Sequence, residues 1–231
     1  MIEKAFLITT KSEQEIKKRL SHIKSALKCE DDFIEVLRNE KNVHDPVKGC
    51  FDAHMNAYRK VVNNGYQACL ILEDDVFFKK SIGVDALNNM IKGLSFDLFY
   101  LGHRPVYKQK TWMKTTERPG VVQVRTNDRH AMILSGQYAK RILKLEWTGK
   151  NGDVILRNNA SQSFALYPMK AIQTGAVGSK SFSNGFAELI NEYIQYSKTE
   201  KPFVVFVKKL GLPVYALVVI AQLIWVRLKD M

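Results

Sequence analysis

Cysteine is scarce in this chain, with three among 231 residues: Cys29, Cys50 and Cys69. None forms a CxxC pair and the number is odd, which argues against a disulfide framework and for reduced, buried thiols in a cytosolic setting. The amino terminus, MIEKAFLITT, lacks the long apolar run of a secretory signal, so the bulk of the protein is expected in the cytoplasm. No repeats or low-complexity tracts interrupt the sequence. Acidic residues are few relative to basic ones, 23 Asp+Glu against 35 Lys+Arg, and the net charge is +12. That excess favours an anionic partner: nucleic acid, a phosphorylated ligand or an anionic membrane face. What is present is a core, since 46% hydrophobic and 10% aromatic residues exclude a disordered chain. The length suits one domain with room for an appendage.

The pattern reads as alternating strands and helices. AFLITT (5–10) is a short buried strand. A helix follows, with Ser12 as N-cap, Glu15 in the capping-box position, and Ile16, Leu20, Ile23 and Leu27 at helical spacing. FIEVL (33–37) fits a second strand, and 47–64 a second helix closed by Gly65. QACLILE leads into an acidic turn. SIGVDALNNMIKGL suits a third helix, FDLFYLG (96–102) another strand, RHAMIL a strand, GQYAKRILKL a helix capped by Ser135, and SFALYP a late strand. Residues 103–128 are polar and basic without a period, and read as a long loop or mobile hairpin. The alternation predicts an α/β fold, a single domain around a mainly parallel central sheet flanked by helices. Ligands in such sheets sit beyond the carboxyl ends of the strands.

The acidic turn, Glu73-Asp74-Asp75, lies at such an end. Adjacent carboxylates raise one another's pKa values unless a cation neutralises them. Hard ions such as Mg²⁺ or Mn²⁺ suit carboxylate oxygens and keep positions open for phosphate. On an extended segment Glu73 and Asp75 project to one side and Asp74 to the other. The plainer alternative is an acidic turn that caps the next helix or pairs with surface lysines.

LILEDDV resembles the signature of glycosyltransferase family 25, the lipopolysaccharide and lipooligosaccharide glycosyltransferases related to the collagen galactosyltransferases. GCFDAH (49–54) resembles that family's G-C-x-x-S-H element, with Ala53 in place of Ser. FDLFYLG (96–102), HAMILSGQYAKRIL (130–143), Asp153 in NGDVIL, and ALYPMKAIQTGAVGSKS are similar to later family segments. AFLITTKSEQEIKKR is similar to the opening one, with Thr9-Thr10 replacing the usual Asn-Leu. The resemblance spans residues 1–181 in order.

It implies a GT-A-like domain that moves a hexose, galactose or glucose, from a nucleotide diphosphate sugar such as a UDP-hexose to a saccharide or lipid-linked saccharide acceptor. The transfer would be assisted by Mn²⁺ or Mg²⁺ and would invert the anomeric carbon. By this resemblance Asp75 is the metal ligand, and Glu73 a ribose or metal-side contact. Asp74 is able to exchange roles with either. Inversion needs a base for the acceptor hydroxyl, and Asp153 is the candidate, with a helix N-cap after Gly152 as its plainer reading. Asp128 and Glu146 fall on no matched position. His54 is placed near the donor, Thr9, Thr10 and Arg19 on the base, ribose or phosphate side, and Gln173 and Ser179 on the acceptor or pyrophosphate side. No histidine follows Asp153, so water or donor oxygens are left to complete a metal shell, with His103 and His130 as further candidates. The basic segment 103–128 reads as a lid over the pyrophosphate or a contact for an anionic acceptor, with Trp112 stacking on a sugar.

The carboxyl-terminal segment, 198–231, forms a separate basic, hydrophobic helical tail. It has six basic residues against two acidic ones. LPVYALVVIAQLIWV (212–226) is uncharged; as a helix it measures about 22 Å, short of the roughly 30 Å hydrocarbon core. It suits an interfacial helix, peripherally associated with the inner face of the membrane where anionic lipid meets its flanking lysines. The domain proper is then 1–197. A metal-dependent phosphodiesterase or nuclease is the competing enzyme reading, but such sites gather more carboxylates or histidines around two metals than this sequence offers. Nucleic acid is therefore not an expected partner. An inactive membrane-tethered binding module is the non-enzymatic alternative.

Overall fold

A computed structural model describes residues 1–103, 112–127 and 129–173; the side chains of Trp112 and Met113 lie outside the description. Among the described residues the chain forms ten strands and five α-helices. In chain order these are β1 (Lys4–Thr9), α1 (Glu13–Leu27), β2 (Ile34–Arg38), α2 (Pro46–Asn63), β3 (Ala68–Glu73), β4 (Val76–Phe78), α3 (Val84–Ile91) and β5 (Leu98–Tyr100). There follow β6 (Trp112–Thr115), β7 (Val121–Arg125), β8 (Ala131–Ser135), α4 (Gly136–Ile142), α5 (Gly152–Asn159), β9 (Ser163–Leu166) and β10 (Ala171–Gln173).

Local chemistry sets several boundaries. The Ser12 hydroxyl accepts from the Glu15 amide while the Glu15 carboxylate accepts from the Ser12 amide, the reciprocal capping box expected at α1. Asp45 caps α2 through the Lys48 amide with Pro46 in the first turn, and Ser135 caps α4 through the Tyr138 amide. Gly65, just past α2, has φ +70°, a left-handed value that glycine takes without a Cβ clash.

The main sheet has eight strands in the order β2-β1-β3-β8-β5-β9-β7-β6. β1 runs parallel to β2 and β3, and β5 to β9, whereas β8 is antiparallel to both β3 and β5, and β7 to both β9 and β6. Six of the eight strands therefore share one direction, and β8 and β7 oppose it. The expected α/β sheet is mostly parallel in strand direction but mixed in pairing.

Alternation along the strands gives each face its own core. Ala5, Leu7, Leu70, Leu72 and Ile133 pack with Ile23 and Leu27 of α1 and Leu87 and Ile91 of α3. Phe6, Ile8, Cys69, Ile71, Met132 and Leu134 pack with Tyr58 and Val61 of α2, Tyr138 and Ile142 of α4, and Leu156 of α5. Both faces are thus covered, as near-continuous apolar strands such as ACLIL require.

The segment read as a long loop or mobile hairpin is a hairpin over residues 112–125. Residues 112–125 form the β6–β7 hairpin and add two strands to the edge of the sheet. Two of its cations are used there: Arg118 donates to the carbonyls of Met90 and Lys92, at 2.6 and 3.0 Å, and Arg125 to Asn158 Oδ1 at 3.3 Å. A second, two-stranded sheet pairs β4 with β10, setting Gln173 opposite Val76. The cysteines are free, but only Cys69 is buried; Cys50 is exposed, contrary to the expectation of three buried thiols. Ser179 and the tail 198–231 lie outside the described residues, as do Asp128 and 104–111. No helix among the described residues is long and apolar enough to cross a membrane.

Candidate functional site

β3 ends at Glu73 in mid-sheet, with its neighbour β8 running the opposite way. The beginning of β8 therefore lies beside the ends of β3 and β5, and the Glu73 amide donates to the His130 carbonyl at 2.9 Å. This arrangement brings Arg129 and His130 to the same end of the sheet as the three carboxylates. Cys50, His54 and Tyr58 approach it from α2, where spacing of four residues aligns them on one face.

The three carboxylates diverge as the extended geometry requires. Asp74 turns toward β1: its Oδ2 accepts from the Thr9 hydroxyl and its Oδ1 from Lys11 Nζ at 2.9 Å. Thr9 is buried and also receives the Lys11 amide at 3.0 Å, while Thr10 is exposed beside it. Glu73 and Asp75 share the amide of Gln173, whose Nε2 lies 2.9 Å from Asp75 Oδ2 and 3.5 Å from Glu73 Oε2. Gln173, expected on the acceptor or pyrophosphate side, thus serves the acidic pair. Arg19, expected on a donor group, donates to the Val76 carbonyl at 3.4 Å and braces the strand that follows the carboxylates.

Burial and neighbouring charges separate the two partners of Gln173. The Asp75 carboxyl is pushed up to about 6, first by burial and then by the Glu73 charge beside it. Burial also acts to raise Glu73, but His54, Arg129 and His130 outweigh it and hold that carboxyl at about 2. His54 is almost wholly buried; its Nε2 lies 3.2 Å from Glu73 Oε1, at ion-pair distance but without hydrogen-bond alignment, and its Nδ1 is 3.0 Å from the Cys50 carbonyl. Burial and Arg129 work against a charged imidazole, yet Cys50 and Glu73 prevail and raise His54 to about 9.

Arg129 is the hub on the other side. Its Nε is 2.8 Å from Asp153 Oδ1, and its Nη2 contacts Cys50 Sγ at 3.1 Å. The guanidinium lies against Gly152 so closely that a Cβ there would be 2.1 Å from Nη1. Asp153 stands in the first turn of α5, whose N-cap is Asn151; Asn151 Oδ1 accepts from the Asp153 amide at 3.0 Å. The result is a continuous line of contacts: Asp153, Arg129, Cys50, His54, Glu73, Gln173, Asp75. Tyr58 lies beneath it, and its buried hydroxyl has no hydrogen-bonding partner among the described residues.

The family model for glycosyltransferase family 25, described as LPS biosynthesis protein, matches residues 8–146. The chain belongs to glycosyltransferase family 25. Membership places this family-25 protein among the glycosyltransferases of lipopolysaccharide biosynthesis, which move a sugar from a nucleotide-sugar donor to a saccharide acceptor and release the nucleotide. The matched span holds Thr9, Thr10, Arg19, His54 and all three carboxylates; Asp153, Gln173 and Ser179 lie beyond it. Among solved structures, that of A197 from STIV is similar over 75% of this chain and 85% of its own, with 13% identity and a TM-score of 0.47.

Arg129, Cys50 and Tyr58 are the site residues that sequence reasoning did not single out. His103, considered for a metal shell, is buried with its ring 6.5 Å from that of Tyr167. His130 lies near enough for its charge to lower both Glu73 and Asp75. Trp112 opens the edge strand β6, with its side chain outside the description. A separate cavity at the opposite end of the sheet, lined by Met1, Gln67, Asn88, Phe96 and Ser135, gathers none of these groups.

Proposed function

We propose that this family-25 protein moves a hexose, galactose or glucose, from a nucleotide diphosphate donor to a saccharide acceptor of the lipopolysaccharide type, with inversion and on a GT-A-like domain spanning 1–197. The observation that carries the reading is the half-buried Glu73–Asp75 pair at and just past the end of β3. Asp75 is under pressure to bind a proton, and a divalent cation relieves the same pressure. The donor set is oxygen-rich and fits Mn²⁺ or Mg²⁺, with Asp75 as the principal ligand and Glu73 beside it. When bound, the ion stabilises charge developing on the departing diphosphate.

The chain's own residues supply the rest. Gln173 orients the acidic pair through its shared amide. Thr9, Lys11 and Asp74 form a polar ledge at the end of β1, suited to the ribose and base with Thr10 alongside. His54 fixes the Glu73 carboxylate, and Arg19 holds the turn. Asp153 is the general base: Arg129 engages its Oδ1 and sets the orientation of the carboxylate that takes the acceptor hydroxyl's proton. Trp112 and Ser179 are assigned to the acceptor, and the tail 198–231 to the anionic inner membrane face.

A panel of nucleotide sugars, each offered with Mn²⁺, with Mg²⁺ and with chelator, tests the reading by release of nucleoside diphosphate. Turnover of one donor that needs the ion and disappears in Asp75→Ala is expected. Turnover that ignores both the chelator and Asp75→Ala contradicts it.

A further inference from the structure

Cys50, His54 and Glu73 form a cluster of three metal-ligating side chains whose ligand atoms all lie within 4.8 Å of one another. His54 Nδ1 is 3.0 Å from the Cys50 carbonyl, an acceptor, so Nδ1 carries the proton and Nε2 presents its lone pair when the ring is neutral. That nitrogen is almost wholly buried, lacks an aligned hydrogen-bonding partner, and faces Glu73 Oε1, another acceptor, at 3.2 Å. With the ring charged, a proton on Nε2 fills the gap between the two atoms; with the ring neutral both are acceptors, and a metal ion is able to take that proton's place. The Nδ1-to-carbonyl bond is also the outer-shell contact that orients metal-bound histidines. The exposed Cys50 thiol adds a soft third donor and gives an ion a route in from solvent.

We propose that Cys50, His54 and Glu73 bind a borderline-soft divalent cation of the Zn²⁺ class, separate in ligand chemistry from the all-oxygen donor-ion pair and competing with it for Glu73. Ligand atoms around tetrahedral Zn²⁺ stand roughly 3.3–3.6 Å apart. His54 and Glu73 already meet that spacing, and Cys50 Sγ needs to close by up to about 1.5 Å, within reach of a side-chain rotation. Arg129 Nη2, 3.1 Å from the sulfur, donates to it and offsets the charge of a bound thiolate. Thiolate sulfur and imidazole select Zn²⁺ over Mg²⁺ or Mn²⁺. Occupancy takes Glu73 from its place beside Asp75, so Zn²⁺ would inhibit sugar transfer; this consequence, unlike the binding itself, rests on the function proposed above.

The test uses the full chain, with Co²⁺ as a spectroscopic stand-in for Zn²⁺. Wild type should develop a thiolate-to-cobalt charge-transfer band that added Zn²⁺ displaces. Cys50→Ser should lose the band while retaining the wild-type circular dichroism, and Cys29→Ser and Cys69→Ser should keep it. Absence of the band in wild type, or its persistence in Cys50→Ser, overturns the proposal. A Cys50-dependent band in a protein that turns over no nucleotide sugar supports the metal site and fails the transferase reading alone. Where transfer is measurable, Zn²⁺ should inhibit wild type at a concentration at least tenfold below that needed for Cys50→Ser; equal inhibition of the two overturns the competition for Glu73.

Discussion

Gly152→Ala sets two effects of opposite sign against each other. Alanine at the start of α5 should favour the helix by up to about 1 kcal/mol over glycine, and less in a first turn than in a helix interior. Packing acts the other way. The new Cβ would sit 2.1 Å from Arg129 Nη1, 2.6 Å from Cζ and 3.0 Å from Nη2. The guanidinium must swing away, and it is nearly buried, with 7% of the side chain exposed. Moving it breaks the 2.8 Å contact with Asp153 and the 3.1 Å contact with Cys50. Breaking a buried ion pair costs about 3–5 kcal/mol. Asp153 is 20% exposed, so water recovers part of that, and the lower end of the range applies. The net expectation is a loss of about 2 kcal/mol, read as a lower urea midpoint with an unchanged slope. Sugar transfer should fall as well, because Asp153 loses its orienting partner. In an Arg129→Ala background the methyl group finds space, and the cost of Gly152→Ala should drop by at least half. A Gly152→Ala midpoint at or above that of wild type would refute the packing argument.

Two further outcomes follow from the same geometry, and a third from the sequence of the tail. Asp75→Asn should raise stability at pH 7.5 by about 2 kcal/mol while abolishing metal-dependent transfer, since a carboxyl pushed up to about 6 in the folded state opposes folding above the unfolded value of 3.8; a wild-type stability curve that does not rise as pH falls from about 6 toward 4 counts against it. His54→Gln should cost most near pH 6, about 3 kcal/mol, and progressively less toward pH 9, because a histidine raised to about 9 contributes fully below 6.5 and loses its contribution as pH climbs through the folded value. Equal costs at pH 6 and pH 9.5, by denaturant titration, would remove the ion pair from the account. Truncation after Ser197 should shift the protein from the membrane fraction to the supernatant, and identical partitioning with and without residues 198–231 would end the anchoring proposal.

The parts of the site legible in the sequence were those set by local rules. The Ser12–Glu15 box, the apolar run into Glu73 and the two-residue period that sends Asp74 away from Glu73 and Asp75 depend only on near neighbours, and the structure has each of them. Arg129 was not legible for a specific reason. A mainly parallel sheet would put the start of β8 at the far end from the acidic motif, and an apolar run such as AMIL carries no mark of its direction. β8 is antiparallel, so the residue before it arrives at the site. Cys50 was equally hidden, because a lone cysteine on a helix says nothing of the guanidinium it will meet from 79 residues away. Gln173 reached the acidic pair only through the small β4–β10 sheet, whose three-residue strands are too short to leave a periodic signal. For the β6–β7 hairpin the sequence left loop and hairpin both open, because an edge position tolerates a polar, basic composition without a clear period.

The most direct test of the central claim is calorimetric titration of a nucleoside diphosphate into wild type and Asp75→Ala, each with and without Mn²⁺. The account predicts tight binding only for wild type with the ion present, and at least a tenfold loss on removing either the ion or the Asp75 carboxylate. Equal affinity in all four titrations would show that the Glu73–Asp75 pair is not a metal-dependent donor site.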